Sequence, residues 1–285
     1  MFTINCKGKL LTFDTPVVMG IINATPDSFY EGHLTKNIDD ILALSTKMIS
    51  EGAGIIDVGG QSTKPYSERI DKDEELRRVI PVIEKIHLLH PKIILSVDTY
   101  YSEVAKEAVA AGASIINDIS AGCLDDKMIE TVAALGVPYV CMHMKGTPGS
   151  MQQNPLYKNI VKDILNFFID KVDECKKAGI KDIIIDPGFG FGKTIEQNLI
   201  LLRELGIFKM LDKPILAGLS RKSTVYKTLQ VTPRDALNGT TVLNTIALMN
   251  GANILRVHDV KEAREAVTLI NAYIKNAPAL QEHFL

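Results

Sequence analysis

The sequence predicts an α/β protein in which eight βα units close into a (β/α)8 barrel, and three observations lead to this fold class. Short apolar, β-branched runs recur along the chain, and each precedes a longer segment with apolar residues at helical spacing. No low-complexity tract or Pro/Ser-rich linker interrupts the series. The length of 285 residues is also close to that of one such barrel. A doubly wound open sheet stays an alternative, because periodicity alone does not show that a sheet closes.

The predicted strands are short and apolar, as is typical of parallel strands that helices cover. They comprise residues 17–22, 54–58, 93–97, 114–117, 139–143, 182–186, 214–218 and 253–257. The predicted crossover helices comprise residues 38–51, 73–89, 102–111, 127–135, 157–178, 196–205, 235–250 and 261–276. Several of these helices end at a glycine, and glycine suits the left-handed conformation that terminates many helices. The glycines therefore support these helix boundaries.

We interpret residues 1–285 as a single domain. Residues 1–16, before the first barrel strand, alternate polar and apolar side chains around Lys7-Gly8-Lys9. This pattern predicts a short β-hairpin that caps the barrel floor.

Composition narrows the functional classes. The chain has 46% hydrophobic and 23% charged residues, and 34 acidic side chains nearly balance 32 basic ones. Nucleic acid is therefore not an expected partner, and no apolar run is long enough to span a membrane. The start lacks the apolar core of a signal peptide, and the four cysteines form no C-x-x-C pair that would suggest a zinc site or a disulfide framework. We expect a cytoplasmic protein.

Polar residues gather at the carboxyl ends of the predicted strands. They are Asn23, the segment 59–63, Asp98, Asn117 with Asp118, His143, Asp186, the segment 220–222, and Arg256 with His258. In a barrel this face carries the active site, so the side chains should converge on one pocket.

Simpler interpretations compete at single positions. An isolated Asp or Asn at a strand end often caps a helix or ties down a loop. Asp118 is the strongest candidate for such a role, because it should point away from Asn117 on a strand. His143 could be a hydrogen-bonded core histidine, and the neighbouring Met142 and Met144 could simply pack.

The charges in the predicted pocket fall into two sets. Lys222, Arg256 and His258 form a predicted cationic set opposite the carboxylates of Asp98 and Asp186. Arg256 and His258 are two residues apart and should share one side of their strand. Such a pocket suits a ligand with an N–H donor edge at one end and an anion at the other.

Seven segments resemble the signatures of the dihydropteroate synthase family, and they occur in the family's order between residues 16 and 275. They are NATPDSF at 23–29, DVGGQSTKP at 57–65, SVDT at 96–99, IND at 116–118, DPGFGFGK at 186–193, SRKS at 220–223 and RVHD at 256–259. The resemblance implies a (β/α)8 barrel, which agrees with the strand count. It also implies a Mg2+-dependent homodimer of folate biosynthesis that belongs to the targets of sulfonamides. Its reaction would join 6-hydroxymethyl-7,8-dihydropterin pyrophosphate to p-aminobenzoate, and it would form 7,8-dihydropteroate and pyrophosphate.

The resemblance also assigns roles to individual residues. The implied catalytic residues are Asp98, Asp186, Lys222, Arg256 and His258. The implied pterin-binding residues are Asp98, Asn117, Met142, Asp186, Gly218, Lys222 and Arg256. The pyrophosphate would be bound by Asn23, Arg256 and His258, and Asn23 is the implied metal ligand. The implied p-aminobenzoate-binding residues are Phe29, Thr63, Pro65, Phe191, Ser220 and Lys222.

Some of these assignments have alternatives. His258 could instead cap the last helix, and Phe29 and Phe191 could anchor loops. The loops 25–36 and 61–71 are rich in Gly, Pro, Ser and charge, so we expect mobile lids that ligand and metal order.

The chain departs from the family pattern at a few positions. Gln61 and Lys64 stand where the family commonly has Glu and Arg, and Glu31 stands where it has Asp. These changes concern loop closure and metal contact more than the reaction. Tyr101 replaces a usual Lys, and the sequence does not explain that change.

Three other functions compete with this one. A pterin-binding methyltransferase domain would share the barrel and the Asp98, Asn117 and Asp186 set, but it needs no p-aminobenzoate pocket. A metal-dependent barrel hydrolase usually has a His-x-His pair at the end of the first strand, where this chain has Ile21-Ile22-Asn23. A catalytically inactive pterin-binding protein is the third. Residues 235–250 and 261–274, in the last two predicted helices, are apolar enough on one side to permit the dimer that the resemblance implies.

Overall fold

Eight parallel strands form a closed barrel in the computed structural model, which describes residues 2–24, 38–61, 69–146 and 155–276. The barrel strands are β3 (Val17–Asn23), β4 (Ile55–Gly59), β5 (Ile94–Asp98), β6 (Ile115–Asp118), β7 (Tyr139–Met142), β8 (Ile183–Asp186), β9 (Leu216–Ala217) and β10 (Ile254–Val257). Their order around the sheet is β8-β7-β6-β5-β4-β3-β10-β9. A parallel bridge between Ile185 and Ile215 joins β8 to β9 and closes the barrel. The predicted (β/α)8 barrel is confirmed, and the open sheet is excluded.

Helices cover the outside of the barrel. Within the described residues they are α1 (Ile38–Ser50), α2 (Lys72–Leu89), α3 (Ser102–Ala111), α4 (Met128–Leu135), α5 (Ile160–Ala178), α6 (Ile195–Arg203), α7 (Ser223–Leu229), α8 (Leu237–Met249) and α9 (Val260–Lys275). The eight predicted helices all occur, with ends shifted by up to three residues. The helix α7 was not predicted, because seven residues are too few to show a clear helical period. It begins directly after Lys222 and so adjoins the pocket.

The helix ends follow the expected chemistry. Gly112 and Gly179 follow α3 and α5 with φ of 127° and 101°, a conformation that glycine adopts without strain. At the start of α6, the Thr194 side chain accepts from the Gln197 backbone and the Gln197 side chain accepts from the Thr194 backbone. This capping box begins the helix directly after the loop that follows β8.

The N-terminal hairpin closes the lower end of the barrel. Strands β1 (Thr3–Cys6) and β2 (Lys9–Thr12) pair antiparallel, as predicted. Ile4, Cys6 and Phe13 are buried against the lowest inward-facing layer of the barrel. That layer comprises Met19, Ile55, Ile94, Ile115, Val140, Ile184, Leu216 and Ile254. Because apolar side chains fill this end, a ligand pocket can open only at the carboxyl ends of the strands.

The membrane prediction can be tested on the described part of the chain. None of its helices has the length and apolar character that a membrane crossing requires.

Candidate active site

Strand register brings the predicted polar residues together at the carboxyl ends of the barrel strands. Asn23 is paired in register with Gly59, Gly59 with Asp98, and Asp98 with Asn117. On the other side of β6, Met142 is in register with Asp186. The register therefore brings residues of six neighbouring strands, β3 to β8, to one face, as predicted.

Arg256 lies at the centre of the charged residues and binds two carboxylates. Its Nε donates to Asp57 Oδ2 at 2.7 Å, and its Nη2 donates to Asp98 Oδ2 at 2.5 Å. Burial opposes the charge of Arg256, but the carboxylates of Asp57 and Asp98 raise its pKa above the usual value. Burial also raises the pKa of Asp98, against the lowering effect of Arg256. The prediction that acids and bases occupy opposite walls is wrong at this point, because Arg256 is in direct contact with the acids.

Asp57 was not predicted as a site residue. It is fully buried in β4, and its Oδ2 also accepts a hydrogen bond from Asn117 Nδ2 at 3.0 Å. The signal in the sequence was an acidic residue in the middle of an otherwise apolar strand, Ile55–Gly59. A buried carboxylate needs partners, and these are supplied here by residues far away in the sequence.

Lys222 and Asp186 form the second charged part of the pocket. Lys222 Nζ donates to the Phe189 backbone oxygen at 2.6 Å and lies 4.6 Å from the centre of the Phe191 ring. Burial lowers the pKa of Lys222 to about 8. Burial raises the pKa of Asp186, while the charge of Lys222 opposes that effect. A Cβ atom on Gly218 would lie 3.7 Å from Lys222 Nζ, so this glycine keeps the space beside the cation open.

His258 is held by Ser220. The Ser220 Oγ lies 3.0 Å from His258 Nδ1 and accepts a hydrogen bond from the His258 backbone N–H at 3.2 Å. These contacts are satisfied together when the hydroxyl donates to Nδ1, which leaves the proton on Nε2. The side chain of His258 therefore does not cap α9.

The ionisation of His258 differs from the prediction. The residue keeps an exposed surface, but desolvation by the surrounding protein, followed by the charge of Arg256, lowers its pKa to about 4. This shift favours a neutral ring that donates an N–H at neutral pH, whereas the sequence predicted a third cation.

An apolar wall completes the pocket. Tyr100, Ile119, Met142 and Phe191 form one buried cluster. Phe191 of this cluster contacts Lys222, so an apolar surface adjoins the charged residues at the carboxyl ends of the strands. This combination suits a planar, polar-edged ring.

Asp118 and His143 have structural roles. Asp118 accepts from the Ser120 and Gly122 backbones at 2.7 Å each and from the Tyr139 hydroxyl at 2.7 Å. The expectation that Asp118 ties down a loop is confirmed. His143 is buried, with Nδ1 3.1 Å from Lys193 Nζ, so it is a hydrogen-bonded core histidine.

Two departures from the family pattern meet at one backbone position. The Gln61 side chain donates to the Ile70 carbonyl at 3.0 Å and accepts from the Ile70 N–H at 3.4 Å. The Tyr101 hydroxyl also donates to the Ile70 carbonyl, at 2.9 Å, and accepts from Arg69 Nε at 3.0 Å. A glutamate at position 61 could donate to this carbonyl only when protonated. Gln61 and Tyr101 therefore act on the same peptide group.

Some predicted residues cannot be placed. Phe29, Thr63 and Pro65 lie outside the described residues, as do Glu31 and Lys64. The same holds for most of the two predicted lid segments, 25–36 and 61–71. Their assignments stay predictions.

The donor set for a metal is small. In the described ranges, no group of three His, Cys, Asp or Glu side chains is arranged to hold a metal ion. Asn23, at the end of β3, offers a single amide oxygen. This fits an ion that takes most of its ligands from a substrate and from water.

The chain has clear relatives among known proteins. A family described as "Pterin binding enzyme" matches residues 19–258. The dihydropteroate synthase of Escherichia coli K12 is 42% identical over 268 residues, which cover 93% of this chain and 94% of that protein.

Solved structures agree. The structure of Yersinia pestis dihydropteroate synthase with a sulfonamide drug matches this chain with a TM-score of 0.92 at 40% identity. The match covers 96% of this chain and 100% of the Yersinia chain. The Xanthomonas albilineans enzyme in complex with 7,8-dihydropteroate has a TM-score of 0.87 at 38% identity and covers 97% of this chain and 100% of its own. The chain therefore belongs to the pterin-binding enzyme family, in which these relatives are dihydropteroate synthases.

Proposed function

We propose that the chain is a transferase of folate biosynthesis that joins 6-hydroxymethyl-7,8-dihydropterin pyrophosphate to p-aminobenzoate, with release of pyrophosphate. The observation that carries this proposal is the convergence of Asp98, Asn117, Lys222 and Arg256 on one pocket beside Asp186. The relatives that cover nearly the whole chain support it, since they are dihydropteroate synthases.

The pterin would bind by its donor edge. Asp186 offers carboxylate oxygens to ring N–H groups. Asn117 donates its Nδ2 to Asp57, so the atom it turns to the ligand would be Oδ1, which is also an acceptor. Lys222 would meet the acceptor atoms of the ring, and Met142 and Gly218 would border the ring.

Arg256 is suited to lie against the ring face. A guanidinium is planar and stacks on aromatic systems better than an ammonium does. Because Asp57 and Asp98 hold two of its nitrogens, its orientation is set before the substrate arrives. Such preorganisation avoids an ordering cost during the reaction.

Reaction would begin with departure of the pyrophosphate. The C–O bond to the leaving group breaks with its electron pair, and the conjugated pterin carries the positive charge that remains. The carboxylates of Asp98 and Asp186, which are buried at the ends of β5 and β8, would stabilise that cation. The amine nitrogen of p-aminobenzoate then forms the C–N bond and loses one proton to solvent or to the pyrophosphate. The arylamine is already a neutral nucleophile, so placement is the main task.

The pyrophosphate would be met by Arg256, by neutral His258 through Nε2–H, and by Asn23. Mg2+ bound by Asn23 and the pyrophosphate oxygens would neutralise charge on the leaving group. We extend the proposal to this cofactor because a single amide oxygen is a sufficient protein ligand for such an ion.

p-Aminobenzoate would bind above the pterin, near Phe191, Ser220 and the Lys222 stem, with Phe29, Thr63 and Pro65. The Phe191 ring is buried next to Lys222 and offers an aromatic surface. The Ser220 hydroxyl is shared with His258, so it links the p-aminobenzoate end to the pyrophosphate end.

A homodimer and a cytoplasmic location also belong to the proposal. Exposed apolar side chains recur on α8, at Val242, Ile246 and Met249, and on α9, at Leu269 and Tyr273. The spacing within each helix places them on one face, and large exposed apolar patches often mark interfaces. Light scattering after gel filtration should give twice the mass of the chain. A monomer at micromolar concentration would contradict the dimer.

The decisive experiment measures pyrophosphate release from the pterin pyrophosphate with and without p-aminobenzoate and Mg2+. Release over many turnovers should need all three components, because only attack by the amine completes each cycle, and a sulfonamide should compete with p-aminobenzoate. A methyltransferase domain or an inactive pterin-binding protein would bind pterin without p-aminobenzoate-dependent release, which would refute the proposal.

A further inference from the structure

Asp57 is a buried acid that the resemblance does not name among the site residues and that contacts no substrate in the proposed reaction. Its side chain is fully inaccessible, in the layer of the barrel interior below the pocket. Within the described residues, its Oδ1 has no hydrogen-bond partner. A buried ionisable group that is only partly hydrogen-bonded lowers the stability of the fold. Its presence therefore suggests a functional role.

One atom of Asp57 joins two residues of the pterin site. Oδ2 accepts from Arg256 Nε at 2.7 Å and from Asn117 Nδ2 at 3.0 Å. These two donors come from β10 and β6, on either side of β4 around the barrel. A single carboxylate oxygen thus fixes the positions of two ligand-binding side chains relative to each other.

The second carboxylate on Arg256 binds a different nitrogen from the one that Asp57 binds. Asp98 holds Nη2, but it is slightly more exposed, with 10% of its side chain accessible against 0% for Asp57. In the proposed function, Asp98 also forms a hydrogen bond with the pterin ring. Asp57 is therefore the partner that keeps Arg256 oriented while Asp98 serves the ligand.

We propose that Asp57 is a positioning residue for the pterin half of the site, which acts through Arg256 and Asn117 and does not touch the substrate. It fixes the Arg256 guanidinium plane and turns Asn117 so that Oδ1 faces the ligand. Among the described residues, the hydrogen bonds of the Asp57 side chain go to Arg256 and Asn117, and none goes to Phe191 or Ser220 at the p-aminobenzoate end. The inference rests on the proposed function. It adds that one buried residue positions the pterin-binding side chains without acting on the p-aminobenzoate end.

The test compares Asp57→Asn with a matched control, Ser96→Ala. Ser96 is the register partner of Asp57 on β5, is equally buried, and has an Oγ without a hydrogen-bond partner. The Asn variant keeps the shape and can keep an acceptor oxygen at the position of Oδ2, with its NH2 group at the unpartnered position of Oδ1, but it removes the negative charge that pairs with Arg256. Calorimetry with 6-hydroxymethylpterin measures binding without any turnover. Steady-state pyrophosphate release measures the KM of each substrate.

We expect Asp57→Asn to weaken pterin binding by about tenfold or more, because it breaks a buried, hydrogen-bonded charge contact. The KM for p-aminobenzoate, at saturating pterin pyrophosphate, should stay within about twofold, as should all constants of Ser96→Ala. A purely structural role would raise both KM values together. Circular dichroism reports folding. If Asp57→Asn does not fold, Asp57→Ser, which is smaller and keeps one acceptor, is measured in the same way.

The possible outcomes separate the two proposals. If the unaltered protein binds pterin but releases no pyrophosphate, the proposed function is rejected. The role of Asp57 is then decided by calorimetry, which compares the pterin affinities of Asp57→Asn and the unaltered protein. Normal release with unchanged pterin affinity in Asp57→Asn would overturn the inference alone. Equal losses at both substrates would also overturn it, as would an unaltered protein that binds no pterin.

Discussion

Replacing Arg256 with lysine keeps the positive charge but removes the two-pronged contact with Asp57 and Asp98. The guanidinium donates through Nε at 2.7 Å and through Nη2 at 2.5 Å. An ammonium is a single centre and can meet only one of these two carboxylates in this geometry. The other carboxylate, in a site where the side chains are 0% and 10% exposed, then loses a charge-assisted hydrogen bond.

Such a bond contributes about 1.5–3 kcal/mol. If this hydrogen bond orients the pterin site, its loss should lower kcat/KM for the pterin pyrophosphate by about 10- to 150-fold. The assay is steady-state pyrophosphate release at saturating p-aminobenzoate, with urea unfolding of the same variant to measure stability.

Arg77→Lys is the matched control. Arg77 also directs Nε and Nη2 to a carboxylate, at 3.0 and 2.8 Å from Glu74 Oε2, but its side chain is 69% exposed. Surface ion pairs contribute little, so kcat/KM should stay within about twofold. A kcat/KM of Arg256→Lys within about threefold of the unaltered protein would refute the reasoning.

Three further predictions concern single residues around the pocket. Because burial lowers the pKa of Lys222 to about 8, its charge is present below that pH and lost above it. The kcat/KM should therefore fall above about pH 8, and a profile that stays flat well beyond this pH would argue against a role for the ammonium. In Tyr101→Phe the hydroxyl bonds to Ile70 and Arg69 are lost, so urea unfolding should show a loss of about 1 kcal/mol; an unchanged midpoint would mean that the contacts contribute nothing. Burial raises the pKa of Glu75 to about 8, so the folded protein binds a proton that the unfolded chain releases between about pH 4.5 and 8. Stability should fall as pH rises through this window, by up to about 1.4 kcal/mol per pH unit, and Glu75→Gln should lack this part of the slope; parallel pH dependences of the two proteins would contradict it.

The strand pattern was predictable because it depends on local physics. A parallel strand with helices outside and packed side chains inside is apolar on both faces, so each run was visible in the sequence. The polar residues that interrupt this pattern at strand ends, such as Asp98 and Asp186, were visible for the same reason. The short α7 was missed because its seven residues show too little of a period.

The ionisation states could not be predicted in this way. The cationic set was inferred from residue types, but desolvation and the charge of Arg256 lower the pKa of His258 to about 4, and burial lowers the pKa of Lys222 to about 8. Both shifts come from desolvation and from neighbouring charges, which depend on the folded arrangement.

The sequence by itself determined the eight βα units, the hairpin below them, and the face on which the polar side chains collect. Only the tertiary structure decided which charges pair, because Arg256 meets Asp57 and Asp98 across 199 and 158 positions of the chain. Hydrophobic periodicity is a property of neighbouring residues, whereas an ion pair depends on barrel closure, which brings β10 beside β3 and within reach of β4 and β5.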